Sequence, residues 1–274
     1  MAIKSYKKNT SARRNMSVLD FSKVTKKTPE KSLTVAGKQK SGRNNQGRIT
    51  VRHRGGGAKR KTRIIDFQFT GKEVSVKAIE YDPNRSANIA LVETENKKKA
   101  YVLATLGLKV GQKVSSSQGS EVRAGNRKKL KDIPVGLTIC NIELNVGRGA
   151  QLVRSAGAKA RLAAKEGEYA HIKLPSSEVR LVNLECYATI GQIGNLDHQN
   201  VKIGSAGRKR KMGIRPTVRG KAMNPRDHAH GGGEGASPIG LKHPKTPWGK
   251  PALGYRTRRR KSTNQMIVRR RKKR

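Results

Sequence analysis

The placement of charge along this chain constrains its folding more than any single motif does. Residues 1–60 carry 17 Lys or Arg against 2 Asp or Glu, residues 201–274 carry 23 against 2, and residues 61–200 carry 22 against 14. The formal net charge at pH 7 is +44, and the two flanks hold +36 of it. A compact domain with that much like charge repels itself, so a polyanion, above all nucleic acid, is the natural partner. The flanks are rich in Gly, Ser, Thr and Asn and poor in apolar periodicity. They bury too little apolar area to offset the entropy of ordering their backbone, and are expected to be disordered until embedded in a polyanion. Hydrophobic residues make up 34% of the chain and aromatics 4%, too few for one core spanning it all.

Other classes fall away. No run of about 18 apolar residues exists, so no helix is expected to span a membrane. Met1 to Asn15 is basic with no apolar stretch behind it, which argues against a secretory signal. Cys140 and Cys186 have apolar neighbours and form no CxxC pair. They read as small buried hydrophobes in a reducing compartment, and the expectation is a soluble intracellular protein.

The middle of the chain has strand grammar. Val74 to Glu80 alternates, Tyr81-Asp82-Pro83-Asn84 is a turn signal, and Asn88 to Glu93 and Ala100 to Thr105 follow as short strands. Leu137 to Leu144, Gln151 to Val153, Tyr169 to Leu174, Glu178 to Val182 and Cys186 to Ile190 continue the rhythm. Ala158 to Lys165 has helical propensity, but its apolar residues fall on Ala158, Ala160, Leu162 and Ala164, a period of two, before the turn Glu166-Gly167. This predicts a meander over 158–165, 168–174 and 178–184. So many short strands point to two small antiparallel barrels, divided near Gly125-Asn126-Arg127-Lys128-Lys129. Patterning does not choose between OB-type and SH3-like barrels. The expected organisation is a basic N-terminal extension (1–60), barrels at 61–125 and 126–198, and a basic C-terminal extension (199–274).

Several segments carry binding chemistry. In Arg52-His53-Arg54-Gly55-Gly56-Gly57-Ala58-Lys59-Arg60-Lys61-Thr62-Arg63, three residues without Cβ let backbone N–H groups approach phosphate while the cations neutralise it. A solvated flexible linker is the competing reading. Arg208-Lys209-Arg210-Lys211, Arg215 and Arg219 extend the basic surface. Gly213 to Lys221 fails as a nucleotide loop, because its glycine spacing is wrong, Pro216 interrupts it and Ala222 stands where a magnesium-binding hydroxyl is needed. In Arg226-Asp227-His228-Ala229-His230-Gly231-Gly232-Gly233-Glu234-Gly235, Asp beside His invites a general-base or metal reading. No nucleophile accompanies it, and with His243 distant there are too few zinc ligands. A loop threaded through crowded RNA explains it better. Trp248 is the only Trp, among prolines in a tail without its own core, where it packs on a base, a ribose or a partner protein, or on a local proline. Arg256 to Lys261, with Arg258, Arg259 and Arg260, and Arg269-Arg270-Arg271 onward read as phosphate-neutralising tails; nuclear import is the compositional alternative. Aromatics are too sparse for a single-strand stacking platform, and no helix-turn-helix, zinc finger or basic zipper is present, so folded RNA is the expected ligand.

His53 to Gly57, Glu80 to Arg85, Asn141-Ile142-Glu143, Gly149 to Leu152, Lys173 to Ser176 with Glu178-Val179-Arg180, Met223-Asn224-Pro225, Asp227-His228 with His230 to Gly235, and Thr246 to Gly249 together closely resemble the universal L2 family of large-subunit ribosomal proteins, nearly end to end. The ending Ile267 to Arg271 resembles the bacterial branch, and plastid relatives are similar. The resemblance implies a mainly β chain with an OB-fold barrel followed by an SH3-like barrel and long basic non-globular extensions. It implies a ribosomal, cytoplasmic, primary rRNA binder that supports subunit association, tRNA binding and the peptidyl transferase region. The implied partners are large-subunit rRNA, small-subunit rRNA across the interface, tRNA indirectly and neighbouring ribosomal proteins, with no membrane and no homo-oligomer. In this family a catalytic part has been suggested, and disputed, for the first His of Asp-His-x-His, here His228. Arg226 and Ala229 stand where relatives often carry Val and Pro. No catalytic residue, metal or cofactor is assigned; a generic nucleic-acid packaging protein is the other alternative.

Overall fold

Alternating β-branched and small residues, cut by Gly and Asp-Pro turns, fold the middle of this chain into short antiparallel strands. The computed structural model describes residues 3–69, 73–116, 119–234, 237–255 and 257–271. Gly235, Arg256 and the last three residues of the terminal basic run lie outside them. The chain divides into two compact units, one of Met1–Lys38, Lys59–Ala206 and Thr263–Arg274, the other of Gln39–Ala58 and Gly207–Ser262.

In the first unit, β1 (Ile3–Ser5) and β2 (Ser17–Leu19) pair antiparallel around the short helix α1 (Ser11–Arg14), capped by the Thr10 hydroxyl. β3 (Thr34–Ala36) and β4 (Lys61–Arg63) form a second ladder. The first barrel is a sheet of β5 (Glu73–Glu80), β6 (Ile89–Thr94), β7 (Lys99–Leu103) and β8 (Lys113–Ser115), in the order β7-β6-β5-β8. Between β5 and β6 the buried Asp82 accepts from the Asn84 amide at 2.9 Å and Arg85 Nε at 2.6 Å, the local bonding that suits Asp to a turn.

The second barrel contains β9 (Arg127–Lys129), β10 (Thr138–Cys140), β11 (Ile142–Glu143), β12 (Ala150–Leu152), β13 (Ala160–Glu166), β14 (Tyr169–Lys173), β15 (Val179–Asn183) and β16 (Tyr187–Ile190). A terminal strand, β17 (Ile267–Arg269), joins it, giving the order β17-β15-β14-β13-β10-β16-β9, while β11 and β12 pair separately. The meander is β13-β14-β15, and Gly167, at φ +54°, makes its first turn. The stretch 137–144 breaks in two at Asn141, which adopts φ +50°.

The second barrel's core is Leu130, Ile133, Ile139, Ile142, Leu162, Ile172, Val182 and Ala188 with their neighbours. The first barrel fills with Phe69, Val74, Val76, Val92 and Val114. A third cluster joins the two: Ile89, Leu91, Tyr101 and Leu103 pack with Cys140 and Ile193. The run Gly125–Lys129 is no polar spacer, since Asn126, Arg127 and Lys128 are buried. Burial pushes the Arg127 guanidinium below its ordinary value, while Glu143 opposes that shift. Cys140 and Cys186 are buried free thiols, and desolvation pushes them up to about 12 and about 11.

The N-terminal flank is partly stitched to the first barrel. The Thr25 amide donates to Ile79 O at 3.0 Å, and Lys26 forms a parallel bridge to Glu80. The Glu30 amide donates to the fully buried Tyr101 hydroxyl at 2.8 Å, and that hydroxyl donates to Glu80 Oε2 at 2.7 Å. Lys26 and Lys99 pair with Glu30 and hold its carboxyl below the usual range. The flank has little core of its own, yet its backbone donors find acceptors on β5 and β7.

Candidate nucleic-acid interface

The second unit collects 21 Lys and Arg against two acids, Asp227 and Glu234. None of the three apolar clusters draws a residue from it. Its backbone is instead organised by close approach at glycines. The Gly55 amide donates to Gly213 O and the Ala58 amide to Lys211 O, both at 3.0 Å, and the Arg215 amide donates to His53 O at 3.0 Å. A Cβ on Gly57 would stand 2.8 Å from Gly213 Cα, so only glycine lets these segments cross. His53 Nδ1 lies 2.9 Å from Pro216 O and donates to it. The Gly55 amide is therefore spent inside the protein rather than offered to phosphate, and the glycines shape a scaffold. On that scaffold Arg52, Arg54, Lys209, Lys211, Arg215 and Arg219 are exposed, while Arg208 and Arg210 are half-buried. The helix α2 (Ala206–Lys211) supplies the basic run.

The Asp-His-x-His loop closes on itself. His228 is buried, and a Cβ on Gly220 would meet its ring at 2.6 Å. His228 Nδ1 accepts from the His230 amide at 3.0 Å, and His230 Nε2 accepts from the Lys245 amide at 2.7 Å. The two rings lie 4.7 Å apart. A nitrogen that accepts from a backbone N–H carries no proton, so His228 has its proton on Nε2 and His230 on Nδ1. Neither lone pair is free to take a proton from a substrate while these bonds hold. Asp227 and Arg226 are exposed, and the groups that fix the rings are backbone amides. The Gly231 amide donates to His228 O and the Gly232 amide to Met223 O; a Cβ on Gly231 would collide with the Asn224 carbonyl. Gly232 and Gly233 take φ +87° and +81°. Among the described residues no group of three or more His, Cys, Asp or Glu could hold a metal ion.

Lys245 opens a tight hairpin. The Thr246 amide donates to Lys250 O at 2.7 Å, the Gly249 amide to Thr246 O at 2.9 Å, and the Ala252 amide to Pro244 O at 2.8 Å. Trp248 stands at its tip, 75% exposed, with the Arg52 guanidinium 5.8 Å from the ring centroid.

The remaining sequence-predicted residues belong to other surfaces. Lys59, Arg60, Lys61 and Arg63 are in the first unit, where Arg60 donates to Pro83 O and Arg63 to Lys61 O. Arg258, Arg259 and Arg260 are exposed in the second unit. Arg269 lies in β17, opposite Val179, and Arg270 and Arg271 follow, exposed. Sequence reasoning omitted Arg43, Arg48 and Lys250, which belong to the same unit as Arg52; their only signal is local charge.

Two family models match this architecture. One, described as Ribosomal Proteins L2, RNA binding N-terminal domain, matches residues 30–116, and the other, described as Ribosomal Proteins L2, C-terminal domain, matches residues 123–249. The chain belongs to the ribosomal protein L2 family. As an L2 family member it is a structural, RNA-binding constituent of the large ribosomal subunit, where rRNA and ribosomal proteins are its partners. Its two barrels are the family's OB-fold and SH3-like barrels. The N-terminal match takes in the first basic segment of the second unit, and the C-terminal match runs from the second barrel through the Trp248 hairpin.

Proposed function

We propose that this chain is a primary rRNA binder whose barrels dock on the RNA surface while its second unit is enclosed by RNA helices, neutralising phosphates that could not otherwise approach each other. The supporting observation is a 76-residue unit with 21 cations and two acids, with no apolar cluster among its described residues but ordered by glycine crossings. Its contacts are assigned to Arg52, Arg54, Lys209, Lys211, Arg215, Arg219, Arg226 and Arg258 to Arg260, with His53, Gly55 to Gly57 and Gly231 to Gly233 shaping the backbone. Through this embedding the chain supports subunit association, small-subunit rRNA contact across the interface, indirect tRNA binding and the peptidyl transferase region. Its role is structural: the backbone-bonded imidazoles support positioning, not proton transfer, for His228.

The test is the salt dependence of binding to protein-free large-subunit rRNA. Each lost phosphate contact should lower the log–log slope by about 0.7–0.9, so Arg215→Gln with Arg219→Gln reduces it by roughly 1.5. A wild-type slope near zero refutes the electrostatic reading, and equal affinity for duplex DNA favours a packaging protein. In assembled particles His228→Ala should retain peptide transfer, and abolished transfer in intact particles would restore the catalytic alternative.

A further inference from the structure

We infer that the Trp248 hairpin is a stacking ledge for one unpaired rRNA base, held by Arg52 on one indole face and open on the other. The inference rests on the rRNA-binding reading above and names what this part of the surface takes. Indole is the largest apolar surface a side chain offers, and leaving it in water wastes that area unless something covers it. Here it is 75% exposed yet not loosely placed. Three backbone hydrogen bonds close the hairpin beneath it, and Gly249, at φ +74°, makes the turn. The base of the hairpin is pinned from outside: the Lys245 amide donates to His230 Nε2, and the His230 amide donates to His228 Nδ1. The paired histidines therefore act as positioning residues for the ledge, which accounts for two buried or half-buried imidazoles without chemistry of their own.

Charge selects the occupant. Arg52 over the ring and Lys250 beside it in sequence make a cationic rim around an aromatic face. A nucleobase stacks on indole through its own π face while its phosphates meet such cations, and guanidinium stacking adds to the platform. A hydrophobic partner protein would have to desolvate those cations without neutralising them. An unpaired base of folded rRNA is the occupant that uses both features.

Trp248 is the sole tryptophan, so its fluorescence reports this one site in the full chain. On saturation with protein-free large-subunit rRNA, emission excited at the red edge should be quenched and protected from acrylamide. Trp248→Leu should weaken binding about 5- to 150-fold with the salt slope unchanged, because a stack and no phosphate contact is lost. Trp248→Phe should recover much of that loss, and base-specific chemical probing should find one or two bases unprotected only in the Leu variant. Unchanged emission and quencher access in a complex that still forms would overturn the ledge and leave rRNA binding intact. Protection that appears only when another ribosomal protein is added would assign the indole to a protein partner, and absence of any rRNA binding would overturn both readings.

Discussion

Replacing Tyr101 by Phe isolates one of the contacts that tie the N-terminal flank to the first barrel. The ring stays, so its packing among Ile89, Leu91 and Leu103 is kept and no cavity opens. What goes is a hydroxyl that donates to Glu80 Oε2 at 2.7 Å and accepts from the Glu30 amide at 2.8 Å. Burial and the Glu80 carboxylate raise the Tyr101 phenol well above its ordinary value, so it is a protonated donor at every working pH. Glu80 is 2% exposed, and its other oxygen already has no hydrogen-bond partner, with Lys26 Nζ 3.8 Å away. A hydrogen bond to a buried charge contributes about 1.5–3 kcal/mol, and the half-buried Glu30 amide adds up to about 1 kcal/mol, giving a loss of about 2–4 kcal/mol. For a folded body of this size that lowers the Tm by about 5–15 °C. Equilibrium urea unfolding would measure the loss, and amide exchange should accelerate first at Glu30. A loss under about 0.5 kcal/mol with Glu30 still protected would refute the reasoning.

Three further outcomes follow from the geometry. Gly57→Ala forces a methyl against Gly213 backbone and should destabilise the second unit by roughly 1–3 kcal/mol, weakening rRNA binding without changing charge, while Gly207→Ala, with no heavy atom within 4 Å, should be neutral or slightly stabilising by urea titration. Native Cys140 and Cys186 should resist a thiol reagent at pH 8 and both react in denaturant, because desolvation holds them as thiols; rapid native labelling of either contradicts its burial. Glu185, paired with Lys129 at 2.6 Å and Lys131 at 2.7 Å, is held down to about 2. Its contribution is full above the ordinary value of 4.5 and lost as pH falls towards 2, so the stability gap between wild type and Glu185→Gln should close over that window; a gap unchanged by pH 2 argues against the pairing.

Much of the fold is legible because strand periodicity is local. Ala158 to Lys165 shows why: Ala and Lys favour a helix, but the period of two and Glu166-Gly167 decide for a strand, and β13 occupies Ala160–Glu166. Asn141 was not legible, since a left-handed Asn inside Leu137 to Leu144 leaves no mark in the hydrophobic pattern. Nor was the burial of Arg127, whose neighbours Asn141 and Tyr187 are brought to it only by the fold. At the interface, composition located the cations but not the partition of residues 1–60 at Lys38, which depends on donors such as the Glu30 amide meeting distant acceptors. Gly55 to Gly57 read as a phosphate cradle and Gly231 to Gly233 as a loop threaded through RNA, yet the need for these glycines is set inside the protein by Gly213 and by Met223 to Pro225.

β17 changes what the C-terminal basic stretch is. Because Ile267–Arg269 returns to the edge of β15, residues 207–262 leave the barrel-bearing unit and come back to it, as residues 39–58 do between β3 and β4. Both are closed loops rather than tails. A single peptide cleavage inside either one leaves both halves tethered. On the reading proposed above, RNA that encloses a closed loop folds around it more readily than it admits it afterwards, whereas a free end could be threaded in late, so the connectivity would favour joining the RNA before its helices have shut.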